Sequence, residues 1–357
     1  MTTATRPRVV VADDSALMRR IVSNLLIRGG IDVVGRAKDG DEALALCERE
    51  QPDAMTLDLA MPGLGGIDVL RELRRRPGAS LPVVVVSAFS PAHGARAVDA
   101  LAEGAFELVP KPGANAEVGA FEENLLAKIK LAIRTRRPFL RSRPEAPPAV
   151  PPAGGPSAPS QGPPSRARAA GPRALLIATS TGGPRALAAV VPKLPAPLGL
   201  GTMIVQHMPA GFTASLAARL DRSSALSVRE AAGGELWDPG VALIAPGGRH
   251  LRLGAGGVAR LSDEEPLGGL RPRADLLIED AAAKWGERLT LVVLTGMGSD
   301  GLRGAREVRR RGGRIIVEAE QTCTVYGMPR AIVEARLADL VLPLDRIPAA
   351  IAEEVRG

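Results

Sequence analysis

The N-terminal part of the chain alternates between short apolar runs and amphipathic segments. The runs Val9–Val11 and Val83–Val86 are continuous and β-branched, which is typical of parallel strands covered on both faces. Between the early runs, Leu17, Ile21 and Leu25 recur every four residues, which predicts a helix that buries one stripe. Five such strand and helix pairs follow one another. The pattern therefore predicts an α/β domain with a doubly wound parallel sheet of the flavodoxin-like type.

The apolar periodicity stops at residue 138, and proline dominates from there to residue 172. Such a segment buries too little apolar surface to offset the entropy lost on ordering, so it predicts a flexible linker. Strand-like runs separated by helical patterns resume after it and predict a second α/β domain, also with a doubly wound parallel sheet. We therefore expect a first domain over residues 7–137, a linker over 138–172 and a second domain over 173–355.

Composition narrows the functional classes. The chain has 357 residues and a net charge of +7, but only 2% of its residues are aromatic. Its arginines are scattered over predicted helix faces and the linker, which argues against nucleic-acid binding. No apolar run approaches the roughly 20 residues of a membrane helix, and no signal-peptide pattern is present, so we expect a soluble, cytoplasmic protein without membrane insertion. Cys47 and Cys323 lie far apart without metal-ligand spacing, so neither a disulfide nor a zinc site is expected.

Charged side chains follow three predicted strands of the first domain. Asp13 and Asp14 come after the first strand, Asp58 after the third and Lys111 after the fifth. In a doubly wound sheet these strand ends share one edge, at which ligands bind. A hard dication such as Mg²⁺ would relieve the repulsion among the carboxylates, and with Lys111 it would neutralise a phosphoryl group moving onto one of them. Taken singly, each aspartate is better explained as a helix-cap or turn residue.

The order of these residues resembles the receiver domain of two-component response regulators, over residues 8–137. The resemblance implies that a chemotaxis histidine kinase phosphorylates Asp58 and that Mg²⁺ is held by Asp13, Asp14 and Asp58. It also implies three residues that contact the phosphoryl group or transmit its presence: Ser87, Phe106 and Lys111.

A second set of candidate residues lies at strand ends of the second domain. Ser180 occupies a sharp turn between a predicted strand and a helix with Pro184 near its start. A serine there is exposed at the sheet edge, and the amides of the following helix provide an oxyanion site. Gly182 and Gly183 allow a substrate to approach the backbone closely. A phosphate-binding loop is the rival interpretation, but the G-x-x-x-x-G-K-[ST] pattern is absent from the sequence.

A nucleophilic serine needs a base and a carboxylate that orients the base. His207 follows the next predicted strand and so lies at the same edge as Ser180, although a lone histidine is more often structural. Asp300 lies on a glycine-rich turn after a later strand, where a helix N-cap is the alternative role. His250 begins a short predicted strand and is expected to help shape a cleft. The order and shared edge of Ser180, His207 and Asp300 predict a catalytic triad.

The second domain resembles the CheB-type chemotaxis protein-glutamate methylesterases in five segments: A-T-S-T-G-G-P, Q-H-M-P-A-G-F, P-G-G-R-H, L-T-G-M-G-S-D-G and Y-G-M-P-R. The resemblance implies a serine hydrolase, activated by phosphorylation of the receiver, that demethylates glutamate γ-methyl esters of methyl-accepting chemoreceptors. It also implies deamidation of receptor glutamines and no cofactor at the hydrolase site. It places Thr181, Gly182 and Met297 next to the site.

Two other functional classes are weighed against this hydrolase. A DNA-binding response regulator would need a helix-turn-helix, whereas the second domain has strands at regular intervals. An interaction module with a non-receptor substrate, or with no catalysis, remains the alternative. A module of that kind would be expected to lose a member of the triad, and all three residues are present.

Overall fold

The computed structural model describes part of the chain in each predicted domain: residues 6–75, 81–88, 91–112, 118–135 and 171–356, without the side chains of residues 91–93 and 118. Both described parts are α/β domains built on a parallel sheet, so the predicted fold class is confirmed. Nearly all of the predicted linker lies outside the described residues, and the predicted domain boundaries stay predictions. Within the described residues, no helix is both long enough and apolar enough to span a membrane.

The first domain alternates strands and helices along the chain. Its strands are β1 (Arg8–Ala12), β2 (Asp32–Ala37), β3 (Ala54–Leu57), β4 (Val83–Ser87) and β5 (Glu107–Pro110). Its helices are α1 (Ala16–Arg28), α2 (Gly40–Glu50), α3 (Gly66–Arg75), α4 (Pro91–Ala102) and α5 (Val118–Thr135). The parallel sheet has the order β2-β1-β3-β4-β5. The strand order reverses between β1 and β3, so a ligand crevice opens at their carboxyl ends.

Helix α1 buries the predicted face except at its first position. Val22, Leu25 and Leu26 are buried against the sheet, whereas Leu17 is 56% exposed. The predicted stripe was therefore wrong at its first position. Leu17 lies in the first turn of α1, next to the strand ends. The apolar strand residues cover the later turns of the helix and do not reach this one.

The second domain is larger and carries a second, small sheet. Its strands are β6 (Ala174–Thr179), β7 (Thr202–Gln206), β8 (Ser227–Glu230), β9 (Val241–Ile244), β10 (His250–Leu253), β11 (Ala259–Ser262), β12 (Leu289–Val293), β13 (Arg314–Glu318) and β14 (Leu340–Leu342). Its helices are α6 (Gly183–Val190), α7 (Phe212–Asp221), α8 (Ala274–Trp285), α9 (Leu302–Arg310), α10 (Met328–Glu334) and α11 (Ile347–Arg356). The main sheet is parallel, in the order β14-β13-β12-β6-β7-β9-β8, and β10 pairs with β11 antiparallel. Strand β6 therefore lies between β7 and β12, so the turns that follow these three strands meet at one edge.

The sequence did not predict β8 and β14 as strands, and both are edge strands of the main sheet. In β8 only Val228 is fully buried, and β14 has three residues. Edge strands are short and partly exposed. They therefore lack the continuous apolar run that identified the central strands.

The two domains pack against each other through α4 and α7. A Cβ added at Gly94 of α4 would lie 3.0 Å from the Ser215 hydroxyl oxygen and 3.9 Å from the Phe212 ring, so the two helices approach closely there. Asp99 of α4 forms an ion pair with Arg219 of α7. One buried apolar cluster contains residues of both domains. The first domain is therefore in contact with the second at the helices that flank its sheet.

Candidate active site

Ser180 lies in the tight turn that joins β6 to α6. Its amide donates to the carbonyl of Thr295 at 3.0 Å, and its carbonyl accepts from the amide of Gly183 at 2.8 Å. Gly182 has a φ of 81°, in the left-handed region that favours glycine. A Cβ at Gly296 would lie 2.8 Å from the Ser180 Cβ, so the chain after β12 passes directly beside the serine. The turn is therefore held from both sides.

His207 directly follows β7, the neighbour of β6 in the sheet. The register pairs Thr179 with Gln206, so Ser180 and His207 occupy equivalent positions just beyond the ends of adjacent parallel strands. The Gln206 side chain joins these two ends, because its Nε2 donates to the carbonyls of Ser180 at 2.9 Å and His207 at 3.0 Å. The sheet register thus brings together two of the three predicted triad residues.

Asp300 lies on the turn between β12 and α9, and its side chain is almost completely buried. Its Oδ2 lies 2.7 Å from His207 Nε2 and accepts the amide of Ala274 at 2.7 Å. Its Oδ1 accepts the amides of Asp275 at 3.0 Å and Gly301 at 2.9 Å. Burial raises the pKa of Asp300, but the His207 ring and the amides of Ala274 and Asp275 outweigh it and hold that pKa well below its usual range.

Asp300 also has the capping role that the sequence left open, but at another helix. Two of the three amides that it accepts, from Ala274 and Asp275, are the first two of α8, and the residue before them has no side-chain capping bond. A helix N-terminus carries partial positive charge and favours a carboxylate. The start of α8 therefore fixes the position of Asp300 and stabilises its ionised form while Oδ2 remains bonded to His207.

The second ring nitrogen of His207, Nδ1, is buried and has no hydrogen-bond partner among the described residues. A carboxylate accepts hydrogen bonds only, so the Asp300 contact assigns the proton of the neutral ring to Nε2. Nδ1 then carries a lone pair. This tautomer is the one in which the imidazole can accept a proton from a hydroxyl group.

The resemblance also placed Thr181, Gly182 and Met297 next to the serine. The amides of Ser180 and Gly183 are bonded within the fold, so the amides of Thr181 and Gly182 are the other two donors of the turn. The Thr181 carbonyl accepts the hydroxyl of Thr295 at 2.9 Å, which orients the Thr181 peptide. Met297 follows the glycine that touches Ser180 and is 52% exposed. An apolar side chain next to the site is therefore accessible to a large substrate.

The first domain reaches the turn of the candidate nucleophile. The Thr181 hydroxyl donates to Glu107 Oε2 of β5 at 2.7 Å, and the same Glu107 oxygen lies 3.0 Å from Lys128 Nζ of α5. Phe106, the residue before Glu107, is buried in an apolar cluster that also contains Val325 of the second domain. The role of Glu107 was not predicted from the sequence. Its contact with Thr181 depends on how the two domains pack, and no local sequence pattern marks it.

The predicted acidic residues of the first domain meet at the ends of β1 and β3. Carboxylate oxygens of Asp13, Asp14 and Asp58 lie within 4.8 Å of one another. Lys111 Nζ lies 2.8 Å from Asp13 Oδ2 and 2.7 Å from Asp58 Oδ2. Burial raises the pKa of Asp13 in spite of Lys111. Ser87 Oγ is buried without a hydrogen-bond partner among the described residues. Three carboxylates lie close together here, and the single charge of Lys111 offsets only part of their negative charge. Such a cluster of oxygen ligands fits a hard divalent cation.

Comparison with known proteins identifies both domains. A response regulator receiver domain model matches residues 9–120, and a CheB methylesterase model matches residues 175–351. A protein-glutamate methylesterase/protein-glutamine glutaminase of Symbiobacterium thermophilum is 42% identical over 98% of this chain and 97% of its own. A Myxococcus xanthus protein of the same name, numbered 5, is 40% identical over the whole of both chains.

A solved structure matches the second domain. The crystal structure of the Thermotoga maritima CheB methylesterase catalytic domain has a TM-score of 0.50 and 42% identity, and it covers 52% of this chain and 99% of its own. Full-length similarity to the curated relatives and the two matching models agree on the same domain order. The chain therefore belongs to the family of CheB methylesterases that carry an N-terminal response-regulator receiver domain.

Proposed function

We propose that the chain is a phosphorylation-controlled serine hydrolase that demethylates glutamate γ-methyl esters of chemoreceptors and also deamidates receptor glutamines. The observation that carries the proposal is the 2.7 Å contact between His207 Nε2 and the buried Asp300, at the same sheet edge as Ser180. Relatives that match along the whole chain bear the name of this activity.

The first half of the reaction forms an acyl-enzyme. The Ser180 hydroxyl attacks the γ-carbonyl carbon of the methylated glutamate while His207 Nδ1 accepts its proton. Asp300 keeps the other ring proton on Nε2 and stabilises the imidazolium. The amides of Thr181 and Gly182 donate to the oxyanion, where charge develops in the transition state. His207 then returns the proton to the leaving oxygen, and methanol departs.

The second half releases the product. Water attacks the acyl-enzyme with His207 as the base, Ser180 recovers its proton, and the receptor glutamate is left as a carboxylate. A glutamine side chain passes through the same intermediates and releases ammonia. Because ammonia leaves from an amide less readily than methanol leaves from an ester, we expect deamidation to be slower than demethylation. A purified enzyme that deamidates faster would contradict this order.

The receiver controls the hydrolase through β5 in this proposal. Lys111, which contacts Asp58, follows β5, and Glu107, which bonds to Thr181, begins it. A phosphoryl group on Asp58 would draw in Lys111 and accept a hydrogen bond from Ser87. Interfaces between domains are modest in energy, so a local change in charge can bias them. Phosphorylation then separates Glu107 from the turn of the nucleophile and opens the site to the receptor.

The receiver needs Mg²⁺ to be phosphorylated. Asp13, Asp14 and Asp58 are the residues that would hold it, and when bound it neutralises charge on the phosphoryl group that a histidine kinase transfers to Asp58. Lys111 supplies a second positive charge at the same carboxylate. Ser87 Oγ is available to a phosphoryl oxygen, since it has no other partner in the described part of the chain.

Substitution of the triad tests the hydrolase. Ser180→Ala, His207→Gln and Asp300→Asn should each lower the rate of methanol release from methylated receptor membranes by a factor on the order of 10² or more. Ser299→Ala is the matched control, because Ser299 is an exposed hydroxyl on the turn that carries Asp300. A folded Ser180→Ala variant with wild-type activity would contradict the proposal.

A further inference from the structure

Arg273 lies immediately before α8, between two buried carboxylates. Its Nη2 donates to Asp275 Oδ2 at 3.0 Å, and its Nε lies 3.4 Å from Asp300 Oδ1. The carboxylate side chains are 2% and 1% exposed, and the arginine side chain is 22% exposed. The guanidinium therefore joins the acid that bonds to His207 to a second buried acid.

The arginine is held in this position by its other contacts. Its Nη1 donates to the carbonyl of Leu267 at 2.8 Å, and its backbone amide donates to His250 Nδ1 at 3.2 Å. A planar guanidinium bonded at several nitrogens has a defined orientation as well as a defined position. His250 is completely buried, and its ring accepts this bond from the Arg273 amide.

Asp275 is fixed as firmly as the arginine. Its Oδ1 accepts the amides of Gly301 and Gly304, both at 2.9 Å. Gly301 directly follows Asp300 and also donates to Asp300 Oδ1 at 2.9 Å. The two carboxylates and the arginine thus form one connected set at the starts of α8 and α9.

The contacts of Asp300 and of the Ser180 turn bring several charged groups near His207. Asp300 on the turn before α9 and Asp275 in α8 are acidic, and Arg273 is the cation in contact with both. From the receiver, Glu107 reaches Thr181 beside Ser180. Without the guanidinium, only backbone amides and the His207 ring would offset the charge of Asp300, and only backbone amides that of Asp275. Neighbouring negative charge favours a protonated imidazole, which cannot act as a base.

We propose that Arg273 is a positioning residue of the hydrolase, whose positive charge offsets the negative charge of Asp275 and Asp300 next to His207. The same contact fixes the plane of the Asp300 carboxylate against the ring. This inference rests on the proposed triad and adds to it a residue that acts on His207 through Asp300.

The pH dependence of kcat/KM for methanol release tests this role in the full-length protein. In Arg273→Gln the acidic limb of the profile should move to higher pH by about 0.5 to 1 unit, since a positive charge a few ångströms from the pair is lost and partial exposure screens it. At a pH on that limb the rate then falls by roughly three- to tenfold. In Arg273→Lys the acidic limb should stay at the wild-type pH, because the positive charge remains. The kcat should be lower, because an ammonium group cannot replace the several oriented N–H donors of the guanidinium.

Arg271→Gln is the matched control. Arg271 lies two residues earlier and donates to the carbonyls of Asp263 and Glu264, at 3.4 and 3.2 Å. Arg271 therefore belongs to the same segment as Arg273, but it bonds to the loop that follows β11 and not to Asp300. The acidic limb of this variant should coincide with that of the wild type.

A second variant tests the charge argument from the opposite side. Asp275→Asn removes a negative charge and keeps an oxygen for the amides of Gly301 and Gly304, so its acidic limb should move to lower pH. A limb that stays in place in both Arg273→Gln and Asp275→Asn would overturn the proposal, whatever happens to kcat. If Arg273→Gln does not fold, the Asp275→Asn profile decides alone. Wild-type activity in Asp300→Asn would instead show that the triad itself is wrong.

Discussion

Buried carboxylates of the second domain differ in what compensates their charge. Asp300 has hydrogen bonds from Ala274, Asp275 and His207, and its pKa is held well below the usual range. Glu318 is completely buried at the end of β13, and its Oε2 accepts the Thr295 amide at 2.8 Å. Burial raises the pKa of Glu318 in spite of that bond. The fold therefore favours the ionised form of Asp300 and disfavours the ionised form of Glu318.

Glu318 should therefore make stability depend on pH. Its carboxyl binds a proton more tightly in the folded than in the unfolded chain, so the free energy of unfolding decreases as pH rises above the ordinary value of 4.5. Glu318→Gln removes that charge and keeps an oxygen for Thr295. We expect it to be more stable than the wild type at pH 7, by on the order of 1 kcal/mol, with little difference near pH 4.

Urea denaturation at both pH values measures this effect, with Glu320→Gln, an exposed neighbour, as the control. An effect of Glu318→Gln that is the same at pH 4 and pH 7 would show that burial of its charge is not the cause.

Residues were predictable from the sequence where a strand end fixes their position. Ser180, His207 and Asp300 each follow a strand, and the strands are neighbours in the sheet. Arg273 and Glu107 were not predicted, because each acts through a contact that is distant along the chain. Charged residues are common on helix and strand ends, so their type alone gives no signal.

At the scale of elements, the contact between α4 and α7 determines how the receiver sits on the hydrolase. The two helices approach closely at Gly94, since a Cβ there would lie 3.0 Å from the Ser215 hydroxyl oxygen. The alternation of strand-like and helical patterns predicted helices between the strands of both domains. It did not indicate that α4 and α7 would face each other, because amphipathic patterns show which face is buried and not what covers it.

Enlarging Gly94 should weaken the hold of the receiver. Gly94→Leu would push α4 away from α7 and so raise the methylesterase activity of the unphosphorylated protein severalfold, while reducing the further gain on phosphorylation. Gly119→Leu is the control, because a Cβ there meets nothing within 4 Å. Methanol release without a phosphodonor measures the effect. Equal basal activity in both variants and the wild type would count against a blocking receiver.

At the scale of the whole molecule, β5 lies between two contacts: Lys111, which follows it, contacts Asp58, and Glu107, which begins it, bonds to Thr181 beside Ser180. The acidic site at β1 and β3 and the turn of Ser180 are connected through Lys111, Phe106 and Glu107. Each sheet could be predicted from its own alternating pattern. Their relative placement could not, because the residues that join the domains have no spacing that marks them.

Activation by phosphorylation should depend on a divalent cation, whereas the basal hydrolysis should not. Removal of Mg²⁺ by a chelator should abolish the stimulation by a small-molecule phosphodonor and leave basal methanol release unchanged, since the ligands lie in the receiver. Asp58→Asn should behave like the chelated wild type. Basal activity that falls with the chelator would place a metal requirement at the hydrolase site as well.

The most direct test of the whole account is methanol release from methylated receptor membranes by the wild type and by Ser180→Ala, each with and without a small-molecule phosphodonor. The account predicts release by the wild type that rises with the phosphodonor, and no release above background by Ser180→Ala under either condition. Release that persists in Ser180→Ala, or that the phosphodonor leaves unchanged in the wild type, would contradict it.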